Sequence, residues 1–203
     1  MKKSFSPEGD HTPFILRRSL RLRSKSTDFA ERLKAFGKAS GLFETVFPHS
    51  FDKSPQSPFE ILVRFVGAEL NINNVGYGVS QVLPLIVEFL SREKNRSFAV
   101  QQPEVHLHPR AQAALGDLVF QLAKERDHRF LLETHSDYLI DRCRLRMHEA
   151  KNPPKAQVLF FQRTSDGNRA TILNIAPDGK YPPDQPPEFR NFFVKEEMSL
   201  LEV

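Results

Sequence analysis

Two short apolar runs constrain this chain more than any other feature. SFAVQ (97–101) and RFLLET (129–134) have strand length, and PRAQAALGDLVFQLAKER (109–126) stands between them with the spacing of an amphipathic helix. VLPLIVEFLSRE (82–93) precedes the pair as a strongly apolar helix, with Pro84 near its start, where a missing N–H costs least. SDYLIDRCRLRMHE (136–149) follows as a helix that Ser136 can cap. Short apolar strands that alternate with helices imply α/β architecture with a mainly parallel sheet.

The flanks are less regular. Residues 1–27 read as irregular, and FILRRSLRLR (14–23) suits either strand or helix. DFAERLKAFGKASGLF (28–43) has helical spacing, with Asp28 and Glu31 arranged as a capping box. PHSFDKSPQSP (48–58) has linker composition, FEILVRFV (59–66) reads as a strand, and NINNVGYGVSQ (71–81) as a polar glycine loop. AQVLFFQRTSDGNRATILNI (156–175) reads as a β-hairpin about Asp-Gly, followed by an extended proline-rich tail over 177–187. Three regions are expected: a basic segment and linker (1–58), an α/β lobe (59–150) and a hairpin with its tail (151–203).

Composition narrows the classes. One cysteine, Cys143, excludes a disulfide framework and a CxxC zinc site. No run approaches the ~20 apolar residues of a membrane span, and the start lacks a signal peptide's apolar stretch, so a cytoplasmic protein is expected. Residues 1–38 hold ten Lys/Arg (Lys2, Lys3, Arg17, Arg18, Arg21, Arg23, Lys25, Arg32, Lys34, Lys38) against Glu8, Asp10, Asp28 and Glu31. That net +6 exceeds the +4 of the whole chain. It can meet nucleic acid phosphates, or it is a solvated arm or a docking face.

In open parallel sheets ligands bind beyond the carboxyl ends of the strands. One such end carries Gln101, Gln102, Glu104, His106 and His108; the other carries Glu133, Thr134, His135, Ser136 and Asp137. A third surface is GYGVSQ. Gly76 and Gly78 allow close backbone approach, and Ser80 and Gln81 open a helix whose free N–H groups favour an anion.

The order GxGxSQ, then QQPExHLHP, then ETHS resembles the C-terminal half of an ABC-type ATPase. The similar branch includes the OLD-family nucleases, RecF and the SMC proteins. Within it, the chain is similar to bacterial AAA-type ATPases whose core is followed by a short C-terminal domain of unknown function. The resemblance implies a partial P-loop NTPase lobe that uses ATP and Mg²⁺. GYGVSQ would be the signature motif, with Gly76, Gly78, Ser80 and Gln81 facing the γ-phosphate of ATP held by a second protomer. Phe98–Gln101 would be the Walker B strand, with Gln101 reaching Mg²⁺ through water. Gln102 would align the attacking water, His106, Leu107 and His108 would form the D-loop at the dimer interface, and His135 would be the switch histidine. A homodimer, or a separate P-loop-bearing subunit, is the implied partner.

The sequence departs from that pattern in four places. Gln102 cannot take a proton, although a glutamine can orient water. Gln101 attracts Mg²⁺ or its water shell less than a carboxylate does. Asn74 stands where relatives have an aspartate. GxxxxGK[ST] is missing: RLKAFGKAS has Arg32 and Ala39 where Gly and a hydroxyl belong. The expectation is a P-loop upstream of Met1 or on another chain, with weak or no ATP hydrolysis by this lobe alone.

Other readings compete. The lobe can be a non-catalytic module, or a truncated remnant, that docks a P-loop-bearing partner. His106-x-His108 with His135 and Glu104 has the residue types of a metal hydrolase site. Ser136, His135 and Asp137 are adjacent at a helix start and cannot form a relay. Cys143 reads as a buried structural thiol, and Arg142, Arg144 and Arg146 as a solvated face.

Overall fold

The computed structural model describes residues 10–21, 26–52, 54, 57–190, 195 and 198–201. These form helices α1 (Thr12–Arg21), α2 (Ser26–Ser40), α3 (Tyr77–Ser91), α4 (Pro109–Arg126) and α5 (Asp137–Glu149). The strands are β1 (Thr45–Ser50), β2 (Phe59–Phe65), β3 (Ala68–Asn71), β4 (Ser97–Gln101), β5 (Arg129–Glu133), β6 (Ala156–Thr164) and β7 (Gly167–Ile175). The chain divides into two compact units, Met1–Cys143 and Arg144–Val203, with the boundary inside α5.

In the first unit, β4 and β5 pair in parallel through the crossover helix α4, as the strand–helix–strand order requires. Their side chains alternate. Phe98, Val100, Phe130 and Leu132 turn towards the core, while Ala99 and Leu131 face outwards, Leu131 at 64% exposed. Phe89 of α3, fully buried, meets Phe98 and Phe130 edge-on at 4.8 and 5.1 Å, and the latter two stack at 5.3 Å. Parallel sheets are normally covered on both faces; here α3 covers one.

Ahead of this pair lies an antiparallel sheet, order β1-β2-β3. The stretch read as a linker over 48–58 therefore begins inside β1. Proline in a strand is tolerated at an edge, where Pro48 sits opposite Ile61. The basic stretch left open between strand and helix is α1, whose Leu16 is fully buried. The α2 helix starts two residues before Asp28, so Asp28 is no cap. Its carboxylate pairs instead with Arg32 at 2.6 Å and with Arg126 of α4. Gly41, at φ +75°, ends α2 three residues earlier than the spacing suggested.

Gly116 marks the closest approach of α4 and α5. A Cβ there would lie 2.6 Å from the Leu139 carbonyl oxygen. The Cys143 thiol donates to the Gly116 carbonyl at 3.4 Å, and burial pushes its pKa up to about 12. Cys143 is the inert thiol expected from the sequence. Arg142 does not simply face solvent, since it reaches Asp117 at 3.7 Å.

His128, 3% exposed, lies edge-on to Phe98 at 5.3 Å and accepts the Arg96 backbone N–H at Nδ1, 3.2 Å away. Burial and the nearby Arg126 and Arg96 hold its pKa below 6.5, against a smaller opposing pull from Asp127. The folded state therefore binds fewer protons than the unfolded chain as pH falls. Stability held above pH 6.5 should be lost as the pH drops through the folded-state value. Urea melts at pH 7.5 and 5.0 should show this loss, and His128→Phe should shrink it. An equal loss in the variant would refute the assignment.

The second unit is built on the β6–β7 hairpin, whose register runs Ala156↔Ile175 to Thr164↔Gly167. Gly167, at φ +120°, takes the positive dihedral that the Asp-Gly pair promised. Leu173 is buried, and Phe160 meets Phe189 edge-on at 5.1 Å. Arg144 lies 3.6 Å above the Tyr181 ring and donates to the Gly179 carbonyl at 2.8 Å. Arg146 pairs with Glu149 at 2.7 Å. Each of the three arginines read as solvated is thus engaged.

Candidate functional site

β4 and β5 end side by side, with Gln101 paired to Glu133. The Gln101 amide donates from Nε2 to Glu133 Oε1 at 3.3 Å, and the Gln102 backbone N–H donates to the Glu133 carbonyl at 2.7 Å. Gln102 then turns sharply, at φ +44°, and His106 follows at φ +67°. Non-glycine residues seldom take such dihedrals, and those that do concentrate at functional sites. The Val105 N–H donates to the Gln102 carbonyl at 3.2 Å and the Leu107 N–H to that of Glu104 at 3.0 Å, folding the loop across the strand ends. Leu107 enters the core, whereas His106 and His108 stay exposed. Pro109 then opens α4 from its first turn.

The loop borders an open cavity of about 300 Å³ lined by Gln102, Glu104, His106, Gln112, His135 and Ser136, among others. Glu104 is buried, and its Oε1 accepts the His135 backbone N–H at 2.8 Å. Ser136 accepts the Leu139 N–H at 3.0 Å, the cap expected for α5, and its hydroxyl donates to Gln112 Oε1 at 2.6 Å. Gln112 donates in turn to the Leu107 carbonyl at 2.7 Å.

The glycine stretch differs from its expected form. Helix α3 begins at Tyr77, not at 82, so Gly78, Ser80 and Gln81 are helical. Pro84 consequently lies inside the helix and leaves the Ser80 carbonyl without its i+4 donor. Gly76 precedes the helix with no side-chain cap, and its carbonyl accepts the Val79 and Ser80 N–H groups at 3.0 and 3.4 Å, so the amides of Tyr77 and Gly78 are the ones placed for an anion. Gly78 serves close packing: a Cβ would lie 2.7 Å from the His106 carbonyl oxygen. Tyr77 meets the His106 ring edge-on at 4.6 Å. Ser80 donates to the Tyr77 carbonyl at 2.9 Å and lines a different cavity, of about 420 Å³, beside Leu16, Ile61 and Pro84. Gln81 is exposed.

The structure thus brings together Gln101, Gln102 and His135, with the 106–108 loop beside them, and sets Ser80 apart. Sequence reasoning named Glu133 and Glu104 without giving either a role in the nucleotide site. Aligning the ends of SFAVQ and RFLLE in a parallel pair would have placed Glu133 opposite Gln101. No such signal marks the bond from Glu104 to the His135 backbone.

No group of three or more His, Cys, Asp or Glu able to hold a metal occurs among the described residues, so the histidine-ligated centre weighed above is not formed there. The Gln101 amide meets Glu133 with its Nε2 rather than its oxygen, so it is the Glu133 carboxylate that fits Mg²⁺ held through its own waters, with Gln101 as its neighbour. In the basic N-terminal segment, Arg17 donates to the Ser57 carbonyl at 3.1 Å and lies over Phe59, while Arg32 pairs with Asp28 and Glu125. Lys2, Lys3, Arg23 and Lys25 lie outside the described residues. Among the described residues no helix is long and apolar enough to cross a membrane.

A family model described as the AAA ATPase domain matches residues 5–140. The fold is similar to that of SMC ATPase heads. One, from work on the ATP-driven dimerization and DNA-stimulated activation of SMC ATPases, aligns with TM-score 0.51 at 14% identity, over 85% of this chain and 91% of that one. An Smc head bound to the C-winged helix domain of ScpA aligns with TM-score 0.54 at 13% identity, over 82% of this chain and 54% of that one. The Smc head of Pyrococcus furiosus, with an extended coiled coil and bound to the C-terminal domain of ScpA, gives TM-score 0.53 at 13% identity, over 89% of this chain and 38% of that one. No curated protein sequence matches.

Proposed function

The chain belongs to the AAA ATPase domain family, and on that premise we propose that it is a lobe that completes a composite ATP site between two chains, hydrolysing ATP weakly or not at all by itself. One observation carries this reading. Ser80 and the pair Gln102–His135 line separate cavities of the same lobe. In a composite site one chain would offer the amino end of α3 and the other its strand ends. The ATP-driven dimerization described for an SMC ATPase supports the same arrangement.

In this reading Gln102 and His135 orient the attacking water, and Gln101 with Glu133 holds Mg²⁺ through its waters. When bound, Mg²⁺ supplies charge neutralisation to the phosphate oxygens. The loop His106-Leu107-His108 crosses the interface. A P-loop on another stretch of chain, or on a partner subunit, cradles the β- and γ-phosphates. The outward face of β4–β5 carries Ala99 and Leu131 among Ser97, Arg129, Gln101 and Glu133, and such a P-loop lobe would cover it. The amides at Gln101 and Gln102 also support a second reading, in which ATP acts as an adhesive without turnover. Nucleic acid contact through the basic N-terminal segment, and a cytoplasmic location, are consistent with either.

Sedimentation velocity tests the composite site. With a P-loop-bearing lobe of the family present, Mg-ATP should drive association and ADP should not. Ser80→Arg, which fills the helix end, should weaken association by about tenfold or more, roughly 1.4 kcal/mol. Association that ignores the nucleotide, or that Ser80→Arg leaves intact, would defeat the proposal.

A further inference from the structure

Pairing off the more buried polar side chains around the 300 Å³ cavity leaves Glu104 unlike Gln112 and Ser136. Gln112 uses both ends of its amide, and Ser136 both donates and accepts. Glu104 is 6% exposed, with Oε1 taken by the His135 N–H, while its buried Oε2 has no hydrogen-bond partner among the described residues. Holding one backbone N–H needs only one neutral acceptor. A second carboxylate oxygen left dry is costly unless a donor reaches it. The cavity gives that donor a way in.

We propose that Glu104 is a positioning residue: it fixes His135 from the loop side and keeps Oε2 as the acceptor for a donor that arrives with the bound ligand or its water. That the ligand is ATP rests on the function proposed above; the anchoring of His135 stands on geometry alone. His135 follows the end of β5, where the strand ladder no longer holds its N–H, and Glu104 takes over. The loop that carries Glu104 is itself braced against α3, through the close approach of Gly78 to the His106 carbonyl and the Tyr77–His106 ring contact. Tyr77, His106, Glu104 and His135 thus form one contiguous set of contacts.

Hydrogen exchange on the whole chain without nucleotide tests the anchor. Glu104→Ala should speed exchange of the His135 amide about tenfold, as expected for one lost hydrogen bond. The Leu139 amide, held by Ser136, should stay as it was. Glu104→Gln keeps an acceptor oxygen at the same reach and should preserve protection. Glu104→Asp is one methylene shorter and should resemble Ala; if the Ala variant does not fold, Asp against Gln carries the comparison. In the ATP-dependent complex, Glu104→Ala should lower kcat with little change in KM. Unchanged His135 exchange in the Ala and Asp variants would overturn the proposal, and so would a Gln variant as loose as Ala. Absence of any ATP response beside the expected exchange pattern would remove the nucleotide reading and leave the anchor standing.

Discussion

Gln102→Glu should raise ATP turnover about 100-fold when a P-loop-bearing lobe is supplied. A positioned base contributes roughly 10²–10⁴ to such a step, and an amide contributes orientation without proton transfer. The backbone favours the experiment. Gln102 is pinned by its own N–H on the Glu133 carbonyl, so the new carboxylate inherits the fixed start of the side chain. Gln101→Asp should behave differently. It replaces a donor to Glu133 Oε1 with a second carboxylate beside the first, and two like charges at adjacent strand ends repel. Its benefit should appear only with Mg²⁺ present, as a lower Mg²⁺ concentration for half-maximal activity. The double variant should combine both effects. Single-turnover hydrolysis across a Mg²⁺ titration reads them separately. Turnover that stays at background in Gln102→Glu, with ATP-dependent association intact, would mean that this site binds nucleotide without remaining a damaged catalyst.

The largest expected loss of stability comes from Phe89→Ala, at about 3–5 kcal/mol for a buried phenylalanine. Phe89 is fully buried and joins α3 to both parallel strands through edge-on contacts with Phe98 and Phe130. Val100 and Leu132 also pack against the core that Ile86 and Leu90 join, but Phe89 is the α3 ring that meets both strands. Set against the roughly 5–15 kcal/mol of an ordinary domain, the loss should move the urea midpoint far towards zero. Phe161→Ala, at a 69% exposed position in the other unit, should cost no more than ~0.5 kcal/mol. Equal effects for the two would show that the Phe89–Phe98–Phe130 cluster is not what supports the strand ends.

The parallel pair was legible because SFAVQ and RFLLET are short, apolar and separated by a helix too regular to mistake. The hairpin was legible because Asp-Gly sits between two runs of β-formers, and the α5 cap because Ser136 precedes a helical pattern. β1 was not, since Pro48 and the serines after it carry a turn signal, and only the edge position makes the proline harmless. The start of α3 was misjudged for a related reason. Two glycines and a serine read as loop, yet position 78 is helical and is a glycine because the His106 carbonyl leaves no room for a Cβ.

The sequence by itself determined the strands, the helices between them and the order of three motifs, because those depend on local periodicity and capping. It also determined that amides occupy positions 101 and 102. Only the tertiary structure decided what stands beside those amides. The register of β4 on β5 brings Glu133 to Gln101, and the turn at Gln102 folds Glu104 back onto the His135 backbone. Both contacts span about thirty residues of sequence, and no local pattern fixes a distance across that gap. It takes the packing of α3 on one face of the sheet, and of the loop against Gly78, to set it.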